Sequence, residues 1–271
     1  MVSIYLAEIK NRRSFLFYIF APWLSVSLFV LGAAIALIEG SICIAMALPL
    51  FLVLGSIGGL VMGAICRLIK EPLRTVQSIA MFPFLFAIGE MGRPLPADFQ
   101  EIKHGIHISA PPEIVWQHIN FPTDIKSTEL DGGFAYRIGV PYPIEARTLN
   151  PGVGGKRHLV WQRGVSFDEE ITSWEENRHI AWKYLFNANS FPPGSMDDHV
   201  VIGGQYFNLE DTSYTLTPEM GGTHLEISVK FRVSTNFNWY AKPWANFLIS
   251  DTADAILHFY KKRAESTVIK S

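Results

Sequence analysis

Two long runs without a charged residue, Ser14 to Ile38 and Gly40 to Cys66, constrain the first third of this chain more than any other feature. Each is roughly 25 residues, longer than the ~20 an α-helix needs to cross a hydrocarbon core. The first is too long for the core of a cleaved signal peptide, and the second comes directly after it. Residues 1–95 therefore read as a membrane anchor, with spans at about 14–38 and 42–68. Lys10, Arg12 and Arg13 precede the first run, and Arg67, Lys70 and Arg74 lie just past the second. Only Glu39 and small residues lie between them. Basic outer flanks put the N-terminus and residues 67–74 on the cytoplasmic side. Gly55, Gly58, Gly59 and Gly63 fall near helical spacing. They either let two helices approach closely or reflect the ordinary glycine content of membrane helices.

A third apolar run, Thr75 to Gly89, is interrupted by Pro83 and closed by Glu90 and Arg93. It is a candidate short span at 74–90. If it crosses, residues 96–271 are exoplasmic, periplasmic in a bacterial inner membrane. If it lies in the interface or re-enters, residues 96–271 are cytoplasmic. The uncharged run, and the tolerance of membrane helices for Pro, favour a span. The expected protein is a multi-pass protein of the cell membrane whose first partner is the lipid bilayer.

Beyond Arg93 the character changes. Charged residues make up 18% of the chain, below the ~25% usual in soluble domains, and the deficit sits in the first 95 residues. The net charge of −2 argues against nucleic acid as a partner. Both cysteines, Cys43 and Cys66, lie in the second apolar run, so residues 96–271 hold no disulfide framework.

Residues 96–271 read as an α+β domain. Glu101 to Ser109 alternates as a strand, with Ile102, Ile106 and Ile108 on one face. Ala110-Pro-Pro-Glu opens a helix, with Ser109 as the expected cap. A short helical stretch is expected around Thr123 to Leu130, then loop and a weak strand over Asp131 to Gly155. Further strands are expected at Lys156–Arg163, Val165–Trp174 and His179–Asn187. After a loop, Gln205–Thr217 pairs with Thr223–Ser234 through Pro218-Glu-Met-Gly-Gly. In the last strand Leu225, Ile227, Val229, Phe231 and Val233 alternate with polar residues, giving one buried and one solvated face. The chain closes with a long amphipathic helix, Trp239 to Glu265, expected to lie under one antiparallel sheet.

With these elements in place, Ala110-Pro-Pro-Glu-Ile-Val-Trp resembles the opening of the START-like, helix-grip superfamily (SRPBCC), which includes polyketide cyclases and lipid-transfer proteins. Gly164-Val-Ser-Phe-Asp-Glu-Glu-Ile-Thr-Ser-Trp resembles its third strand. Tyr214-Thr-Leu-Thr-Pro-Glu-Met-Gly-Gly-Thr-His-Leu resembles its final hairpin. The resemblance spans about residues 101–265. It implies a curved sheet around the C-terminal helix with an apolar cavity between, and it carries no common catalytic set. The anchor and the insert Phe191-Pro-Pro-Gly-Ser-Met-Asp-Asp-His-Val-Val-Ile-Gly-Gly depart from simpler members and look like uncharacterised bacterial membrane-anchored relatives.

Strand parity places Leu159, Trp161, Trp182, Tyr184, Phe186, Tyr214, Ile227, Val229 and Phe231 on the face toward that helix. They are either plain core or the wall of a ligand cavity. Glu169 shares parity with Val165, Phe167 and Ile171. It is either a buried carboxyl with a raised pKa, a candidate acid or base, or is turned outward by a bulge that brings Glu170 or Trp174 inward. Asp197-Asp198-His199 reads as a solvated loop, because a zinc site needs further ligands converging from elsewhere. His104, His107, His158 and His179 are scattered along strands. Lys261, Lys262 and Arg263 suit the end of the last helix, with anionic headgroups as an alternative contact. No nucleophile elbow, phosphate loop or dinucleotide fingerprint is present, so neither a metal nor a cofactor is expected. Three functions fit. The first is tethered binding or transfer of a lipid or other apolar small molecule. The second is a cyclase or dehydratase acting through Glu169. The third is a non-catalytic sensor or interaction domain.

Overall fold

The computed structural model describes residue 4 and residues 13–36, 40–68, 94–130, 132–197 and 200–270. The chain divides into two units, Met1–Pro94 and Leu95–Ser271.

The first unit is a pair of apolar helices, α1 (Phe15–Ile35) and α2 (Ser41–Leu68). Ser14 caps α1 by accepting the Phe17 backbone N–H. The helices meet across small residues. A Cβ on Gly59 would collide with the Tyr18 carbonyl, and one on Gly63 would sit 2.8 Å from the Tyr18 ring. These two glycines therefore set how closely the helices approach, as in other small-residue helix contacts. The outward faces stay apolar and exposed, with Leu24, Phe29 and Ile35 among them. Both helices are long and apolar enough to cross a membrane. The candidate third span at 74–90 lies outside the described residues.

The second unit is α+β. Its seven strands are β1 (Ala97–Ile108), β2 (Pro143–Thr148), β3 (Lys156–Trp161), β4 (Ser166–Glu175), β5 (His179–Leu185), β6 (Phe207–Glu219) and β7 (Gly222–Ser234). They form one antiparallel sheet in the order β1-β7-β6-β5-β4-β3-β2. The helices are α3 (Pro112–Asn120), the short α4 (Phe134–Arg137) and the long α5 (Asn238–Lys270). The sheet curls into a half-barrel that takes α5 against its inner face. This is the helix-grip arrangement that the sequence resemblance implies.

Alternation explains the core. On β7 Leu225, Ile227, Val229, Phe231 and Val233 are all buried, and they pack with Ile108, Val115, Ile119, Leu257 and Phe259. A smaller cluster of Ala146, Leu159, Val165 and Phe167 fills the other end, with Phe186 and Phe191 packed on it.

Several local expectations are corrected. Pro111, not Ser109, occupies the N-cap of α3, with no side-chain bond; the Ser109 backbone N–H donates to the Glu265 carboxylate at 2.9 Å instead. The stretch at Thr123–Leu130 is only a 3₁₀ turn, Ser127–Glu129. Within 131–155 the expected weak strand is β2, and the short helix α4 is an addition to it. β1 starts four residues early because β7 runs on to Ser234, which pairs with Ala97. α5 does not stop at Glu265, because the Thr267 hydroxyl bonds back to the Arg263 carbonyl and also meets His118. Arg263 is thus well inside α5. Its guanidinium holds both oxygens of Glu129 at 2.8 Å and the carbonyls of Thr123 and Asp124. Lys261 donates to the His107 carbonyl. Arg263 and Lys261 thereby fasten α5 to the loops and to β1.

Candidate functional site

Antiparallel register builds the site in rows across the inner face of the sheet. Arg157 on β3 stands opposite Glu169 on β4, and Glu169 stands opposite Tyr184 on β5. One step along, Trp182 faces Thr212 on β6, which faces Val229 on β7. The next row is Ile180, Tyr214 and Ile227. From α5, Ile249, Ala253, Ile256 and Tyr260 close the opposite side. Between them lies a cavity of about 110 Å³. A single water needs roughly 10–15 Å³. Pro122, Ile125, Leu130 and Pro143 complete the wall.

The wall is mostly apolar and holds one charged pair. Arg157 donates from an Nη to Glu169 Oε2 at 2.6 Å, with both side chains almost wholly enclosed. Its other Nη donates to the Ile119 carbonyl at 2.8 Å. The guanidinium carbon sits 4.0 Å from the centre of the Trp182 ring, a cation–π contact. Burial pushes the Glu169 carboxyl up to about 7, against the downward pull of Arg157. The Trp182 indole N–H lies near that carboxylate and also draws its pKa down, but falls short of hydrogen-bond geometry. Tyr184 and Thr212 bond each other through their hydroxyls at 2.7 Å. Tyr214 meets Trp182 at 5.5 Å and Tyr260 at 5.7 Å between ring centres. Burial raises the pKa of Tyr184, Tyr214 and Tyr260, so all three stay neutral.

Of the residues placed on this face by parity, Leu159, Trp161, Trp182, Tyr184, Tyr214, Ile227 and Val229 border the cavity. Phe186 and Phe231 do not. Phe186 packs on Phe167 at 5.2 Å and on Phe191 at 5.5 Å, and Phe231 packs against Phe207 at 6.0 Å. Both share the right face but lie at filled ends of it. Glu169 points inward and is buried. A bulge does exist on β4, but it falls between Ile171 and Ser173, beyond Glu169. It brings Trp174 onto Trp116 at 4.9 Å, while Glu170 stays outward with Lys183.

Arg157 was not among the expected site residues. Its parity with Leu159 and Trp161 is the signal that finds it. The histidines pair one by one, His104 with Asp254, His107 with Glu219, His158 with Asp168 and His179 with Thr215. Asp198 and His199 lie outside the described residues. Among the described residues no three His, Cys, Asp or Glu side chains converge to hold a metal ion.

No family model matches the chain, and no curated protein does. Solved structures similar to it include a protein of unknown function from Staphylococcus aureus, at 13% identity over 65% of this chain and 98% of that one, TM-score 0.40. An AHSA1-like protein from Aeromonas hydrophila is similar at 16% identity over 63% and 95%, TM-score 0.36. The Zhui aromatase/cyclase from Streptomyces sp. R1128 is similar at 12% over 63% and 96%, TM-score 0.38. At these identities and scores none of them says what this chain binds.

Proposed function

We propose that this chain is a membrane-anchored protein that binds a small hydrophobic molecule between its curled sheet and α5. The observation that carries the reading is the cavity, lined by apolar and aromatic side chains with one buried charged pair in its wall. Apolar pockets with a few convergent polar groups are the usual starting hypothesis for a ligand site. Its size refines the ligand. An engineered cavity of roughly 150 Å³ in another protein takes up benzene, so about 110 Å³ suits one ring or a short chain segment rather than a whole lipid. In this reading α1 and α2 cross the bilayer, in which apolar molecules concentrate. The basic flanks keep the N-terminus cytoplasmic, and a third span at 74–90 places the second unit on the exoplasmic side.

Native mass spectrometry of the full chain, released from detergent micelles, is expected to show a retained small apolar mass. A chain that carries no such mass and takes up no benzene-sized probe defeats the proposal. Cysteine labelling at exposed positions of the second unit tests the side. Labelling that requires opening the cytoplasm reverses the topology.

Glu169 favours a second reading, an acid–base enzyme of the cyclase or dehydratase type. A carboxyl titrating near neutrality in the wall of an apolar cavity can take a proton from a bound substrate and return it. If so, the chain in D₂O exchanges the α-protons of a bound ketone, and Glu169→Gln stops the exchange while binding persists. Unchanged exchange in that variant removes Glu169 from any chemistry.

A further inference from the structure

Three N–H donors in the second unit have no acceptor: Arg157 Nε, Trp161 Nε1 and Trp182 Nε1. All three atoms are buried, Arg157 and Trp182 are buried residues, and all three residues border the same cavity. Several neighbouring acceptors are committed, and the Glu169 carboxyl lies near the Trp182 indole without reaching hydrogen-bond geometry. Glu169 Oε2 and the Ile119 carbonyl take the two Nη groups of Arg157, and Tyr184 and Thr212 satisfy each other. Buried donors without partners are unfavourable, and native proteins leave few of them. Here three stand around one space.

We propose that the ligand of this cavity carries a neutral oxygen acceptor, such as a ketone, aldehyde, ester or amide carbonyl, which takes the Trp182 indole N–H and the Arg157 Nε–H. The inference rests on the binding function proposed above and names the chemical class it selects. A neutral oxygen fits better than a carboxylate wherever Glu169 is ionised, because it then already matches the single guanidinium charge. A second carboxylate would set two negative charges against one positive in an apolar enclosure. The cavity's size asks for a small skeleton around that oxygen. Trp161 supplies a further donor to the same oxygen or to a second one.

The test uses the full chain in detergent, labelled with ¹⁵N at tryptophan, and two probes of nearly equal shape, ethylbenzene and acetophenone. Affinities are referred to the free aqueous concentration of each. Acetophenone should bind about tenfold more tightly, as one or two new hydrogen bonds allow, and should move the Trp182 indole signal, assigned with Trp182→Phe. That variant should lose most of the preference, read as the ratio of acetophenone to ethylbenzene affinity within the same variant. Trp161→Phe provides the second measurement should Trp182→Phe fold poorly. Equal affinity for the two probes overturns the inference and leaves the binding function standing, since water then keeps the donors. A preference that survives both substitutions also overturns it. Binding of neither probe overturns the inference and the binding function together.

Discussion

The two units of this chain hide polar groups in opposite ways. In the first unit the Trp23 indole N–H donates to Ser56 Oγ at 2.8 Å, and the Ser56 hydroxyl faces the Ile19 and Leu52 carbonyls at 3.1 and 3.0 Å. Nothing in that contact is left over. In the second unit the Trp182 indole N–H is buried and has no acceptor, beside a charged pair sealed in an apolar wall. Elsewhere in the same unit some buried polar side chains are satisfied, as in the chain from Thr148 through Asn120 to the Trp116 carbonyl, while the Tyr136 hydroxyl, Ser195 Oγ and Asn208 Oδ1 are not. Among the described residues, the buried side-chain N–H donors without acceptors all border the cavity.

The largest effect that can break this comparison is in the charged pair. Glu169→Leu leaves a buried guanidinium that cannot shed its charge, and should cost about 3–5 kcal/mol of stability. Arg157→Met should cost less, because Glu169 can take up a proton and become neutral. Denaturant titration of both variants in the same detergent checks the order, and the reverse order would show that Glu169 is held ionised. The same pair carries a pH dependence. The folded carboxyl holds its proton up to about 7, whereas the unfolded one releases it near 4.5. Stability from this group is therefore full below the unfolded value and is lost as pH rises through about 7. Relative to Glu169→Gln, the native chain should weaken across that window. A flat difference would remove the raised pKa from the account.

In the first unit Gly59→Val should part the helices and cost about 1–3 kcal/mol, because its side chain meets the Tyr18 carbonyl. Gly32→Ala, with nothing nearby, should be silent. Disulfide trapping between α1 and α2 reads the difference, and equal trapping in both variants would mean that Gly59 does not set the approach. The smallest effect is the most direct comparison. Trp23→Phe should cost about 0.6–1 kcal/mol more than Trp161→Phe in thermal unfolding of the full chain. The first loses a made hydrogen bond and the second loses none. Equal costs would mean that water already satisfies Trp161.

Much of this architecture was legible from period alone. The strict alternation of β7 and of Ile180, Trp182, Tyr184 and Phe186 puts those side chains on the inner face, and parity points Glu169 inward. Parity also points Arg157 inward, but a charged residue on an apolar strand reads as solvated until its partner is known. That partner comes from the β3–β4 register, which sequence spacing does not fix. Parity likewise says which face Phe186 and Phe231 occupy, not how far along the strand the cavity extends. β2 was hard to read because it opens at Pro143 with an irregular register, and α4 is a single turn without a side-chain cap.

The pairing of β1 with β7 also sets a clock. The first strand of the second unit finds its ladder partner only after roughly a hundred further residues have been made, and α5 comes later still. At ordinary synthesis speeds that is on the order of ten seconds. Throughout that interval β1 trails behind the apolar helices as an unpaired edge. During biogenesis β1 lacks the partner it has in the finished sheet, and that makes these seconds the interval in which the nascent protein is most exposed to mispairing.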